Sequence, residues 1–286
     1  MRTVIVHYHL FKNAGSTVDS ILSRNFPDEQ HGHIEGPYPW STVQPQELVE
    51  FSLANPALRV VSSHHARPPL PQHPDIQFLP VLFLRHPIDR FASVYEFERR
   101  QPADSLSPSV AIAREGGLAE FAKWGVGQEA NAVCRNFQVA HLANAQHDMR
   151  TARATSEDYM SALRHLESLS FFGIVESFQE SIEAMQALFR PHFGDINLTH
   201  SSENVTPGRH ATLVERLAHI RSELGEPLYR SLVELNSLDM LLYDEARKRF
   251  ADALQTRAGV AAAQGKPTSF WRRIVRALRG AHSTSA

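Results

Sequence analysis

Lys12, Asn13, Ala14, Gly15, Ser16 and Thr17 stand together in a run of small residues that carries one cation and two hydroxyls. Such a run suits an anion. Small side chains let a ligand approach the backbone N–H groups, hydroxyls add donors, and lysine adds a mobile point charge. His64 and His65 are adjacent, and histidine exchanges protons near neutral pH, so the pair suits acid–base work. Arg85 and Ser93 offer a second cation and a further hydroxyl, both able to reach one phosphate.

Each of these groups sits where one element gives way to another. Val4-Ile5-Val6 is an apolar, β-branched run and predicts a buried strand. Val18, Ile21 and Leu22 follow at helical spacing. Lys12 to Thr17 is then a strand-to-helix turn, where orphan N–H groups and the positive end of the helix dipole converge. Leu58 to Val61 predicts a second strand running into Ser63-His64-His65, and the prolines at 68, 69 and 71 stop regular structure beyond it. Pro80 to Leu84 predicts a third strand that ends at Arg85. Pro87 suits the first turn of the next helix, whose apolar face is Ile88, Phe91, Ala92 and Tyr95. Phe171 to Val175 predicts a fourth strand. Helices are expected over 46–54, 118–124, 132–145, 156–169, 179–189, 213–224, 227–236 and 239–254, with Ser156 as an N-cap. Strands alternating with helices predict an α/β fold, and ligands of an open parallel sheet bind beside the strand C-termini. Residues 25–45 and 101–108 show no regular period; the first is read as either an acceptor-binding loop or a packed excursion.

Composition removes several classes. The chain has 286 residues, 42% of them hydrophobic, which is enough to bury a core and argues against disorder. The net charge of −2 gives no general attraction for nucleic acid, so an anion site must be local. The single cysteine, Cys134, excludes an internal disulfide and a cysteine-based zinc site, and is expected to pack as a small hydrophobe. The sixteen histidines pair up at 7/9, 31/33 and 64/65 without an adjacent carboxylate or a His-Glu-x-x-His spacing, so no metal is expected. No signal peptide or membrane span is visible, and a cytoplasmic, bacterial protein is expected.

A nucleotide-kinase P-loop is the first comparison, and it fails. That loop needs its lysine directly before the hydroxyl residue, whereas Lys12 precedes the small residues here. The run His9-Leu10-Phe11-Lys12-Asn13-Ala14-Gly15-Ser16-Thr17 instead resembles the 5′-phosphosulfate loop of sulfotransferases that use 3′-phosphoadenosine-5′-phosphosulfate (PAPS), in their carbohydrate branch. Phe11 replaces the usual proline and Asn13 the usual threonine. A second motif, Arg-x-Pro-x-x-Arg-Phe-x-Ser-x-Tyr, is matched by Arg85, Pro87, Arg90, Phe91, Ser93 and Tyr95. The resemblance covers roughly residues 3 to 250. It implies a P-loop-like three-layer fold, a small central parallel sheet flanked by helices, and transfer of a sulfuryl group from PAPS to a hydroxyl, carbohydrate above all, without a metal. It also implies roles. Lys12 would neutralise the leaving nucleotide, residues 13–17 would hold the 5′-phosphate, and Arg85 and Ser93 the 3′-phosphate, with Thr206 and Arg209 adding contacts. Arg90 would brace the fold, and Glu176 would be structural or would orient the acceptor. His64 would be the base, with His65 as the alternative. A nucleotide-dependent kinase and a non-catalytic nucleotide-binding adaptor are the competing readings.

The catalytic domain is expected to occupy 1–255, followed by a linker and a basic amphipathic helix in 256–286. There Phe270, Trp271, Ile274, Val275 and Leu278 share a face opposite four arginines. Such a helix either touches a membrane surface peripherally or docks on its own domain or an oligomer partner.

Overall fold

The computed structural model describes residues 1–105, 107–127, 132–144, 153–199 and 212–263, with side chains as far as 256. In chain order the strands are β1 (Arg2–Tyr8), β2 (His31–His33), β3 (Val60–Ser63), β4 (Ile76–Leu84) and β5 (Gly173–Ile174). The helices are α1 (Gly15–Asn25), α2 (Pro45–Ala54), α3 (Pro87–Arg99), α4 (Pro108–Glu115), α5 (Gly117–Gly127), α6 (Phe137–Ala143), α7 (Ser156–Ser168), α8 (Phe178–Phe193), α9 (Leu213–Leu235) and α10 (Ser237–Ala263).

The five strands form one parallel sheet in the order β2-β3-β1-β4-β5, flanked by helices. This is the α/β architecture expected. Val4, Ile5 and Val6 are fully buried because β1 is central, and parallel strands covered on both faces carry unbroken apolar runs. The chain leaves β1 toward β3 and later returns to its other side at β4, so the sheet's topological switch lies at β1. Register aligns Tyr8 with Ser63 on one side and with Leu82 on the other. The segments after all three strands therefore open at one edge, and they carry Lys12, His64 and Arg85. A satellite core of Ile88, Phe91, Val94, Phe121, Ile220, Leu224 and Leu232 joins α3 to α5 and α9.

Several local expectations change. Residues 25–45 are not structureless: His31-Gly32-His33 pairs with β3 as an edge strand, and Val43 bridges Ala66. Three residues with one glycine carry no strand period of their own, so the neighbouring strand imposes the conformation. The helix expected over 132–145 shrinks to α6 after a short 3₁₀ turn at Ala132–Cys134. Asn136 breaks it with a φ of 40°, held there by tertiary bonds: its N–H donates to Asn236 Oδ1 and its Oδ1 accepts from Asp239 N, both at 3.0 Å. Thr155, not Ser156, caps α7, through a capping box with Asp158. Part of the region after 101 is helical as α4. The kink at Gly225 (φ 71°) divides α9 into the two helices the sequence indicates. Beyond 255, where a linker is expected, α10 continues to Ala263, because the alanines there are strong helix formers. Thr206, Arg209 and the helix expected at 270–279 lie outside the described residues.

Candidate active site

Between β1 and α1 the chain makes a tight loop with Lys12 and Ala14 both in the left-handed region, at φ of 65° and 63°. Each such residue costs roughly 1–2 kcal/mol, so neighbours must hold it. Arg85 Nη1 donates to the Lys12 carbonyl at 3.0 Å. Asn13 is buried, and its Nδ2 donates to the Phe83 carbonyl and to Gln138 Oε1, both at 2.8 Å. The Asn13 side chain thus anchors the loop, and its N–H is spent on the Leu10 carbonyl. Ala14 is the N-cap of α1, with no side-chain cap, and the first helical bond is Val18 N–H to the Ala14 carbonyl. The amides of Gly15, Ser16 and Thr17 are left for an anion. Ser16 is exposed and Thr17 buried.

Lys12 lies against α3, its Nζ 5.0 Å from the centroid of the Phe97 ring and 6.0 Å from that of Phe11. Burial, with Arg85 and then Arg100 nearby, pulls its pKa down to about 8. Arg85 is oriented by Asp89: Nε and Nη2 both approach Asp89 Oδ2 at 2.8 Å. Three of its five N–H groups are used in this way, and two remain for a ligand. Arg216 of α9 reaches the other Asp89 oxygen at 2.7 Å, which places a second guanidinium at this end of the sheet. Asp89 and Ser93 are one turn apart on α3, so the half-buried Ser93 lies on the Asp89 side of that helix. Gln138 ties the strand end itself, accepting from Arg85 N–H at 3.0 Å and donating to its carbonyl at 2.9 Å.

Of the two histidines after β3, His64 is half exposed. Its Nδ1 lies 3.0 Å from Glu35 Oε1, which also accepts its backbone N–H at 2.8 Å. A carboxylate only accepts, so the proton sits on Nδ1 and the lone pair on Nε2. His65 is the reverse case. Its Nδ1 accepts the Gly36 N–H at 2.9 Å, and its side chain is largely covered, at 12% exposure. The close approach of Glu35 Oε2 to the same Nδ1, 3.0 Å, is secondary, since the N–H of Gly36 fixes that nitrogen as an acceptor. Burial lowers the His65 pKa and keeps the ring neutral.

A further cluster lies beneath the loop. Asp19 on α1 accepts from His7 Nδ1 at 2.6 Å, from His9 Nδ1 at 2.8 Å and from Ser62 Oγ at 2.7 Å. His9 stacks on His64 with centroids 4.0 Å apart. These three bonds occupy the Asp19 carboxylate as an internal network. Glu35, Asp19 and Arg216 had no sequence signal beyond their charge; Glu35 meets His64 across 29 positions, Asp19 meets Ser62 across 43 and Arg216 meets Asp89 across 127, so only folding brings these pairs together. Glu176 is structural: its oxygens accept His86 N–H at 3.0 Å and Tyr243 OH at 2.8 Å. Arg90 is fully buried, 4.7 Å over the Phe137 ring and bonded to the Val133 carbonyl, which is a bracing role. Cys134 is buried, and its thiol is pushed up to about 12, so it packs as a hydrophobe.

An uncapped strand-to-helix loop with a cation at its entry, two arginines on one carboxylate and an imidazole held by a carboxylate thus lie at the C-terminal ends of the parallel strands. Residues 2–244 match the model of the sulfotransferase family, and the chain belongs to that family. It is also similar to an uncharacterized protein of Archaeoglobus fulgidus, at 32% identity over 250 residues, 85% of this chain and 96% of the archaeal one.

Proposed function

We propose that this sulfotransferase takes its sulfuryl group from PAPS and delivers it to a carbohydrate hydroxyl. The observation that carries this reading is His64, held by Glu35 through Nδ1 so that Nε2 is available as a base at the edge where the Lys12 loop also opens. An adaptor that only binds nucleotide has no use for an oriented, half-exposed base.

PAPS supplies the activated sulfuryl group. The amides of Gly15, Ser16 and Thr17, with the two hydroxyls, bind its 5′-phosphate. Lys12 neutralises charge on the bridging oxygen as the nucleotide leaves. Arg85 and Ser93, with Thr206 and Arg209 of the sequence preceding α9, take the 3′-phosphate. His64 Nε2 accepts the proton of the attacking hydroxyl, and Glu35 balances the imidazolium that results. Support for the acceptor class comes from the loop that carries Glu35. Tyr38 and Trp40 there stack in parallel, 5.2 Å apart and 2° from coplanar, at 56% and 38% exposure. The same loop is pinned to the base segment by Gly36 on His65 and by Val43 N–H on the His65 carbonyl. An exposed aromatic pair beside the base suits the apolar face of a sugar ring.

Calorimetric titration with 3′-phosphoadenosine-5′-phosphate (PAP), with ADP and ATP in parallel, tests the donor. Binding should collapse without the 3′-phosphate and on Arg85→Ala. Preference for ATP with Mg²⁺, or no binding, overturns the reading.

A further inference from the structure

His9 is not among the residues assigned above, yet its ring lies between the donor loop and the base. One face stacks on His64. The ring also stacks on His7, centroids 5.2 Å apart, and closes on the first residue of α1: a Cβ on Gly15 would fall 1.9 Å from His9 Cδ2 and 2.1 Å from Nε2. Gly15 is glycine because the imidazole occupies the place of its side chain. Asp19 fixes the ring by accepting from Nδ1, so Nε2 is the nitrogen turned toward the start of α1. That helix start is where the uncapped amides gather, so a phosphosulfate bound there lies beside Nε2.

We propose that His9 is a further donor-binding residue of the transfer step: its Nε2 gains a proton as PAPS enters and donates a hydrogen bond to a non-bridging phosphosulfate oxygen. The inference rests on the PAPS reading above. The proton comes from solvent on binding and returns to it when the products leave, so the transfer itself stays balanced. The ionisable groups around the ring are His7 on its own strand, Asp19 on α1, and His64 beyond β3 with Glu35 behind it. Burial lowers the His9 pKa in the free protein, so the ring is neutral until an anion arrives. Asp19 lies against His9 and His7, and Glu35 against His64 and His65.

The test is calorimetric titration of the full chain with PAPS near pH 7.5, in buffers of different ionisation enthalpy, which reads the protons taken up. His9→Asn keeps an amide within reach of Asp19 and loses Nε2. It should take up less of a proton than wild type and bind PAPS roughly 10- to 100-fold more weakly, the range for one charged hydrogen bond. His9→Gln places a neutral N–H near the Nε2 position and should recover most of the affinity with no recovery of proton uptake. Matching thermal melts exclude a folding defect. Proton uptake by His9→Asn equal to that of wild type, or His9→Gln binding no better than His9→Asn, overturns the proposal. Failure of wild type to bind PAPS at all is a different result and overturns the donor reading instead.

Discussion

Glu35 holds the His64 ring by one nitrogen, so exchanging its carboxylate for an amide should loosen the base without touching the donor loop. Glu35→Gln is expected to lower kcat by about 10-fold and leave the PAP Kd unchanged, while His64→Ala should lose roughly 10²- to 10⁴-fold in kcat, the range for a general base. His65→Ala should cost much less in kcat, since the His65 ring is largely covered and its Nδ1 is taken by the Gly36 N–H; the opposite ranking of the two histidines in a PAPS turnover assay would reverse the assignment. Lys12 carries its own pH signature. With its pKa near 8, the cation is present below that pH and is lost above it. A bound anion pulls the pKa back up, so PAP affinity should weaken as pH rises through about 8 and beyond. Replacement by Arg, which stays charged, should flatten that dependence in calorimetric titrations. Gly15→Ala should displace the His9 ring, because no Cβ fits there.

Among the elements, α6 and α10 do more than fill space. Asp239 near the start of α10 accepts from Gln138 N–H at 3.1 Å and Val139 N–H at 2.8 Å, the uncapped amides at the start of α6. Gln138 in turn holds Asn13 and both backbone groups of Arg85. A buried chain of hydrogen bonds therefore runs from α10 to both segments proposed to bind phosphate. Asp239→Ala leaves two buried amides unpaired, and removes the carboxylate that lies in the field of Arg90. It is expected to cost about 1–3 kcal/mol per stranded group, to be read as a lower denaturant midpoint, and to weaken PAP as well. Loss of stability with PAP affinity intact would show that the chain of bonds does not reach the site.

At the scale of the whole molecule, the proposed donor site draws on β1 with its loop, on β4 with α3, and on α9. A ligand that bridges them binds only the folded chain. PAP at 100 times its Kd should add about 2.7 kcal/mol. At roughly 2–4 °C per kcal/mol for a chain of this size, the melting temperature should rise by about 5–10 °C. Arg85→Ala should erase most of that shift. Among the described residues no helix is long and apolar enough to cross a membrane.

The sequence by itself determined the α/β class, four of the five strands and the placing of Lys12, His64 and Arg85 at strand ends. Those features are local: apolar runs, small-residue turns and a proline at a helix start are written in consecutive residues. Only the tertiary structure decided the rest. β2 exists because β3 offers it a partner. Asn13, which the motif places among the phosphate ligands, turns its side chain into the core because the Phe83 carbonyl and Gln138 lie there. Sequence leaves His64 and His65 as alternatives; in the fold the His64 side chain is half exposed with Glu35 at its Nδ1, whereas the His65 ring is largely covered and its Nδ1 takes the Gly36 N–H. Glu35, Asp19 and Arg216 are ordinary surface charges when read in sequence. They become parts of a site because chain folding sets them against groups far away along the chain, and hydrogen-bond geometry at about 3 Å is a property of space, which residue order does not record.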